Sequence, residues 1–510
     1  MTAKIYSSAV IGIKAQPIEV EVDLGPGLHS FNIVGLADKA VSEAKDRVSS
    51  AIKNSGAAAP QRQNRKITVN LAPADLKKEG SAYDLAIAVG YLLASNQIKP
   101  FDARRKLFLG ELALDGSLRP VAGILPIILM AKEKFDEVIL PAKNIKEAEI
   151  IKGIKLVGCE NLREVIEYLE GKKDIGFISN KELQISQNRN YAVDFADIKG
   201  QQQAKRALEI AAAGGHNILM FGSPGSGKSM LAKALPSILP PMSLEEALEV
   251  TKIYSVCGLT SEEEPLITLR PYRAPHHTAS KIAVVGGGSW PKPGEISLAH
   301  RGVLFMDEIA EFSRDVLESL RQPLEDGEIT ISRVQGSLTF PARFILVAAM
   351  NPCPCGYYGD PEKECHCTPA EILKYQKKIS GPLMDRIDMQ IEVPRVKYED
   401  LKSEEKGETS DTIRARIEEA RQIQKERFKN LSRVIYTNGE MTSKEAEKFC
   451  PLEKEAEALL KKAVESFYLS ARSYYKLLKV ARTIADLNHS DLIKTEHVAE
   501  ALHYRLKNEN

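Results

Sequence analysis

Residues 218–230 read Ile218-Leu-Met-Phe-Gly-Ser-Pro-Gly-Ser-Gly-Lys-Ser-Met230. A short apolar strand runs into Gly222-x-x-x-x-Gly227-Lys228-Ser229, and the helical spacing of Leu231, Ala232 and Leu235 follows. Glycines let successive backbone N–H groups turn inward around a polyphosphate with no Cβ in the way, and the helix N-terminus adds its positive end. Gly222, Ser223, Pro224, Gly225, Ser226, Gly227, Lys228 and Ser229 are therefore expected to cradle ATP. Lys228 would reach the β- and γ-phosphates, and Ser229 would ligate Mg²⁺. The competing reading is a chance glycine-rich turn, but the full eight-residue pattern stands in the strand–loop–helix context that phosphate binding requires.

Hydrolysis needs an acidic pair on a neighbouring strand. The run Gly302-Val-Leu-Phe-Met306 is continuously apolar, as a buried parallel strand should be, and it ends in Asp307-Glu308. Asp307 is expected to hold the Mg²⁺ through water and Glu308 to polarise the attacking water. Alone, such a pair reads more simply as a helix-capping couple. Its position downstream of Lys228 favours catalysis.

Together with Asn351 and Ser380-Gly-Pro-Leu-Met-Asp-Arg-Ile-Asp388, these motifs make the chain resemble an AAA+ ATPase of the magnesium-chelatase-like branch, which is related to the replicative MCM motors. The resemblance implies that Asn351, ending a strand over 344–350, is the sensor that orients the water. It also implies that Arg386 is a finger reaching the γ-phosphate of a neighbouring subunit, where a planar guanidinium neutralises developing charge. The bland alternative for Arg386 is a local salt bridge with Asp385 or Asp388. Arg472, in Leu469-Ser-Ala-Arg-Ser473, matches the lid arginine of the family. A site completed in trans implies a homo-oligomeric ring, of six subunits by the family pattern.

The remaining composition sets bounds. The chain has 510 residues, 70 Lys+Arg, 69 Asp+Glu and a net charge of +1, which excludes a uniformly cationic nucleic-acid binder and confines any DNA contact to local patches. With 43% hydrophobic residues it can fill ordinary cores, and its length predicts about three domains. No apolar run reaches the roughly 18 residues of a membrane helix. The start, MTAKIYSSAVIGIKAQ, lacks the layout of a secretion signal, so a cytoplasmic location is expected.

The predicted organisation is α/β: a first domain over 1–170, a linker over 171–192, an AAA+ P-loop core over 193–395 and a helical lid over 396–510. Helical spacing marks Asp411–Phe428, and Ser470 is expected to cap a helix carrying Tyr474, Leu477, Leu478, Ala481, Ile484 and Ala485. The resemblance implies an insertion near residues 285–295 that projects into a ring pore, which makes two segments candidates for contact with a polymer. One is Val285-Gly-Gly-Gly-Ser-Trp-Pro-Lys-Pro-Gly-Glu295, holding Trp290 and Lys292. The other is a hairpin over Glu328–Phe340 turning about Val334–Gly336, with Arg333 near its tip. A packing hairpin without a ligand serves as well. His276 and His277 adjoin Pro275, but neighbouring residues of an extended chain point to opposite sides, which argues against a shared metal.

Of seven cysteines, Cys159, Cys257 and Cys450 stand alone and read as small buried apolar residues. Cys353-Pro-Cys355 and Cys365-His-Cys367 bracket a turn-rich stretch with Gly356, Gly359 and Pro361, so the chain can fold back and present four thiolates. That set suits a structural Zn²⁺, with no open position for catalysis; a redox pair or free thiols are the alternatives.

Residues 75–87 and 108–126 resemble the two blocks of the Lon-type protease domain, an S5-like α/β fold. The serine position falls on Ala82 and the lysine position on Leu125, neither of which can attack a carbonyl or take a proton. Ser81 with Lys77 or Lys78 would be a shifted dyad. A non-proteolytic Lon-like module, scaffolding a ring or touching DNA, is expected. Across nearly the whole chain this order of domains resembles the bacterial ComM/YifB-type proteins. That resemblance implies a hexameric DNA motor driving branch migration, a helicase or translocase acting on transforming DNA. A motor that remodels a protein or inserts a metal is the alternative from another class.

Overall fold

Alternation of apolar residues builds the first unit. In the computed structural model, which describes residues 2–36, 38–62, 64–179, 191–288, 291–333, 336–396, 402 and 407–505, β1 (Thr2–Ile11) and β2 (Lys14–Pro26) form a long antiparallel ribbon. With β3 (Ser30–Val34), β4 (Arg65–Ala72), β5 (Lys106–Phe108), β8 (Glu137–Pro141), β9 (Lys155–Cys159) and β10 (Gly176–Ile178) they make a mixed eight-stranded sheet of order β10-β9-β8-β5-β1-β2-β4-β3. A small hairpin of β6 (Glu111–Leu112) and β7 (Leu118–Arg119) stands outside it. Successive side chains serve opposite faces. Ile5, Ile139 and Val157 pack with helices Ala44–Asn54 and Asp84–Ala94, whereas Tyr6, Val138 and Leu156 pack with helix Ile124–Lys134.

The chain divides into two compact units, Met1–Ser186 with Leu244–Ile267, and Gln187–Ser243 with Thr268–Asn510. Two expectations change here. The stretch read as linker contributes β10, antiparallel to β9. Residues 244–267, read as part of the core, belong to the first unit: Leu248 and Leu266 pack with Leu125 and Ile128, and the Gly123 N–H donates to the Ser255 carbonyl at 2.8 Å.

The second unit holds a five-stranded, all-parallel sheet of β11 (Ile218–Phe221), β12 (Tyr272–Arg273), β15 (Val303–Met306), β18 (Ile345–Met350) and β19 (Met389–Glu392), in the order β12-β15-β18-β11-β19. Its three central strands, β15, β18 and β11, are continuous apolar runs because both their faces are covered. Short strands β13 (Gly286–Gly287) and β14 (Lys292–Pro293) pair with each other, as do β16 (Glu328–Arg333) and β17 (Gly336–Pro341). The helical C-terminal region includes Ser410–Phe428, capped by Thr409, and Ala471–Leu487, capped by Ser470, whose hydroxyl accepts from the Ser473 N–H. No helix among the described residues is long and apolar enough to cross a membrane.

His216, just ahead of β11, is buried and neutral, with Nε2 2.8 Å from the Thr483 hydroxyl; burial holds its pKa down to about 4. A histidine whose folded pKa lies below its unfolded value of about 6.5 stabilises the fold fully above that pH. The contribution is lost as pH falls from about 6.5 towards about 4, a change of about 3 kcal/mol. Thermal unfolding followed between pH 7.5 and 4.5 should show this loss, and His216→Gln should flatten it.

Candidate active site

The phosphate loop leaves β11 and enters helix Lys228–Ile238 through Gly227 at φ +94°, with Gly225 at φ +77°. Both angles lie where side-chain-bearing residues are strained. Gly222 is required for space, since a Cβ there would stand 2.2 Å from the Val393 carbonyl oxygen. Lys228 is buried, and its ammonium donates to the carbonyls of Gly222 (2.7 Å) and Ser223 (3.0 Å) and lies 3.5 Å from Asn351 Oδ1. Burial lowers its pKa, partly offset by Asp307 and Glu308. A buried cation folded onto backbone carbonyls at the mouth of a glycine loop fits a triphosphate, which would exchange neutral acceptors for anionic ones.

The acidic pair sits as its sequence position suggests, with one correction: β15 is not next to β11, because β18 runs between them. The Ser229 hydroxyl nonetheless donates to Asp307 Oδ2 at 2.8 Å, because the helix after the loop lies across the sheet. A hydroxyl and a carboxylate in contact at the strand ends match the oxygen donors Mg²⁺ takes beside a phosphate. Glu308 is more exposed and has a left-handed backbone, φ +49°. Its carboxylate is 3.9 Å from His277 Nδ1. The ring of His277 lies 4.2 Å from that of His276, so the two histidines lie side by side rather than on opposite faces, because the chain there is turned, not extended.

Asn351 directly follows β18, and its Oδ1 lies 3.5 Å from the Lys228 ammonium. Arg386 and Arg472 converge elsewhere. Both pair with Glu325, Arg472 at 2.6 Å, and Arg386 also donates to the Pro382 carbonyl at 2.7 Å. The local-salt-bridge alternative had named Asp385 or Asp388 as the partner of Arg386. Asp388 is taken instead by Lys476 at 2.6 Å and by the Asn217 N–H at 2.8 Å. Lys476 also donates to the Arg386 carbonyl at 2.6 Å, so the helix that carries Arg472 positions the Arg386 backbone one turn further on. Burial raises the pKa of Glu325, but the two guanidiniums outweigh it and hold the carboxyl below the usual range. No sequence signal singled out Glu325, because its role is to receive two arginines distant in the chain.

The two polymer-contact candidates lie together. Gly286 in β13 backs onto Ile331 of β16, where a Cβ would be 2.7 Å from Ile331 Cδ1. Ile329, Ile331 and Phe340 are buried, while the alternate residues form hydroxyl pairs, Thr330 with Thr339 at 3.1 Å and Ser332 with Ser337 at 3.0 Å. Lys292 is exposed. Trp290, of the aromatic loop, and Val334, of the hairpin turn, lie outside the described residues, and only the backbone of Arg333 is described.

Cys353, Cys355, Cys365 and Cys367 come together, with all four sulfurs within 4.8 Å of one another. Three of the separations are 3.4, 3.7 and 3.6 Å. They are far too long for disulfides, at about 2.05 Å. They fit the edges of a tetrahedron with Zn–S bonds of 2.3 Å, about 3.8 Å. Cys159 and Cys450 are buried as expected; Cys257 is half-buried.

In the first unit Ser81 hydrogen-bonds Glu111, Lys77 pairs with Glu79 at 2.7 Å, and Lys78, fully buried, donates to the Pro73 carbonyl. The shifted serine–lysine dyad is therefore not assembled. Leu125 presents its N–H to Glu147 Oε1 at 3.1 Å.

Comparison with known proteins places three family models along the chain. "Magnesium chelatase, subunit ChlI" matches residues 194–401, "Subunit ChlI of Mg-chelatase" residues 20–144, and "Magnesium chelatase, subunit ChlI C-terminal" residues 407–505. Competence protein ComM of Haemophilus influenzae is 44% identical over 508 residues, covering 99% of this chain and 97% of its own. YifB of Escherichia coli is 43% identical over 502 residues, covering 98% and 96%. The magnesium-chelatase 38 kDa subunit of Cereibacter sphaeroides is 28% identical over 174 residues, covering 31% of this chain and 52% of its own.

Proposed function

Because the chain belongs to the ComM/YifB-type, magnesium-chelatase-like family of AAA+ ATPases, we propose that it is a ring-forming motor that hydrolyses ATP to move branched DNA. The observation that carries the reading is the contact of Lys228, Ser229, Asp307 and Asn351 at one end of the parallel sheet, in a chain collinear with a competence protein. In this mechanism the backbone N–H groups of Gly225 and Gly227 and the ammonium of Lys228 bind the triphosphate. Ser229 and Asp307 would hold Mg²⁺, which would supply neutralisation of the phosphate charge. Glu308 takes a proton from the attacking water while Asn351 orients it. Arg386 completes the site of a neighbouring subunit, with Arg472 beside it on the same Glu325.

A ring supplies what the net charge of +1 withholds. Six copies of the β13–β14 and β16–β17 hairpins would surround one strand, so Lys292 and Arg333 need supply only a few positive charges per subunit, with the Thr and Ser hydroxyls donating to phosphates. The first unit serves as a non-proteolytic, Lon-like scaffold, a role supported by Ala82, Leu125 and the separate bonding of Ser81 and Lys78. Four free, clustered cysteines suit the cytoplasm.

The test is to incubate the purified protein with ATP and labelled three- and four-stranded junctions, alongside Glu308→Gln. Junction movement by the wild type alone, with ATPase stimulated by DNA, is expected. Active ATPase that ignores DNA, with no junction bound, would overturn the DNA reading. It would favour a protein-remodelling or metal-insertion motor, for which the family models and the chelatase subunit similarity speak.

A further inference from the structure

The cysteine loop is joined to the phosphate loop. It continues directly from β18 and Asn351. Gly356, at φ +87°, backs onto the phosphate-loop proline so closely that a Cβ would lie 2.6 Å from Pro224 Cγ and 2.7 Å from its Cδ. Asp360 faces Ser223, whose side chain, with the Glu362 and Lys363 N–H groups and Arg395, holds the carboxyl below its usual range. Arg395, leaving the neighbouring strand β19, pairs with Asp360 and with Glu362, both at 3.2 Å. Gln201 braces the phosphate loop from another direction, donating to the carbonyls of Ser226 and Pro394.

The loop cannot hold this position by packing. Within residues 353–367 only Cys353 and Gly356 are buried, so the apolar area it removes from water cannot order fifteen residues. Tetrahedral ligation by the four sulfurs can, since metal binding free energy becomes folding free energy for such a segment. We propose that zinc held by Cys353, Cys355, Cys365 and Cys367 fixes one wall of the nucleotide site, with Gly356 and Asp360 as positioning residues, so that metal occupancy and ATP affinity are coupled. The proposal rests on the zinc assignment. Linkage makes the coupling reciprocal: ATP must retain the metal by the same factor by which the metal retains ATP.

The experiment uses the full-length protein carrying Glu308→Gln. Elemental analysis measures zinc, and a fluorescent ATP analogue measures affinity before and after a zinc-selective chelator, with Mg²⁺ in excess. One zinc per chain is expected. Its removal should raise the Kd by about tenfold or more, zinc should restore it, and saturating nucleotide should slow metal loss. A protein that neither contains nor takes up zinc overturns the metal assignment itself. A metal-free protein with unchanged circular dichroism and a Kd within twofold of the original overturns the coupling alone. If metal removal unfolds the chain, Gly356→Ala in the otherwise wild-type protein decides, since it keeps all four sulfurs. Full zinc content with a raised KM for ATP and a little-changed kcat is expected, and an unchanged KM overturns the proposal.

Discussion

Arg386→Ala should lower steady-state ATPase roughly 1000-fold or more while leaving ATP binding to the chain's own phosphate loop nearly intact, as expected of a finger that stabilises transition-state charge in trans. Within one chain the Arg386 guanidinium is held by Glu325 and the Pro382 carbonyl, in company with Arg472. Its loss removes no bond to residues 222–229 among those described, so an effect on hydrolysis would have to arise in an assembly. The decisive form of the test mixes two dead proteins. A Lys228→Ala subunit lacks its own phosphate anchor but still lends Arg386 to its neighbour; an Arg386→Ala subunit does the reverse. In randomly mixed rings at equal amounts about a quarter of the sites carry both groups, so roughly a quarter of wild-type activity should return. Mixtures as inactive as either parent would sink the trans site, and with it the argument for a ring.

Glu308→Gln should reduce kcat by about 100- to 10,000-fold, the usual range for a lost general base, and leave the Kd for ATP within a few fold. The swap is nearly isosteric and removes the charge without touching the 2.8 Å contact between Ser229 and Asp307 or the Lys228 cradle. The left-handed backbone at residue 308, φ +49°, suits Gln as well as it suits Glu, so a folding defect is not expected. Single-turnover hydrolysis and equilibrium nucleotide binding on the same preparation separate the two effects. A variant that hydrolyses ATP at the wild-type rate would move the water-activating role to another group.

How far the site was legible depends on how local each part is. The phosphate loop is a continuous eight-residue pattern whose chemistry is mostly backbone, so Gly222–Ser229 could be read with no partner in view. Asp307 and Glu308 were found because a buried parallel strand is a continuous apolar run with a visible end. The relation between the two was misjudged, since strand order is set by crossovers and not by sequence distance: β18, from residues 345–350, lies between β11 and β15. Glu325 was invisible because a carboxylate at the end of a short helix looks like any other until two arginines from distant segments close on it. That helix Leu244–Cys257, within the stretch read as the core, packs with the first unit was invisible for the same kind of reason. Its apolar face says only that it packs, and the surface that accepts it, around Ile124–Lys134, is more than a hundred residues away in the chain.

The amino-acid sequence by itself determined the nucleotide chemistry, the family and the four-sulfur cluster, because each is written in short patterns whose residues act through backbone geometry or ligand type. Only the tertiary structure decided that the cysteine loop bears on Pro224 and Ser223, that Arg386 and Arg472 share Glu325, and that residues 244–267 pack with the first unit. Those contacts join segments brought together by sheet crossovers and burial, and no local pattern encodes which distant surface will be opposite.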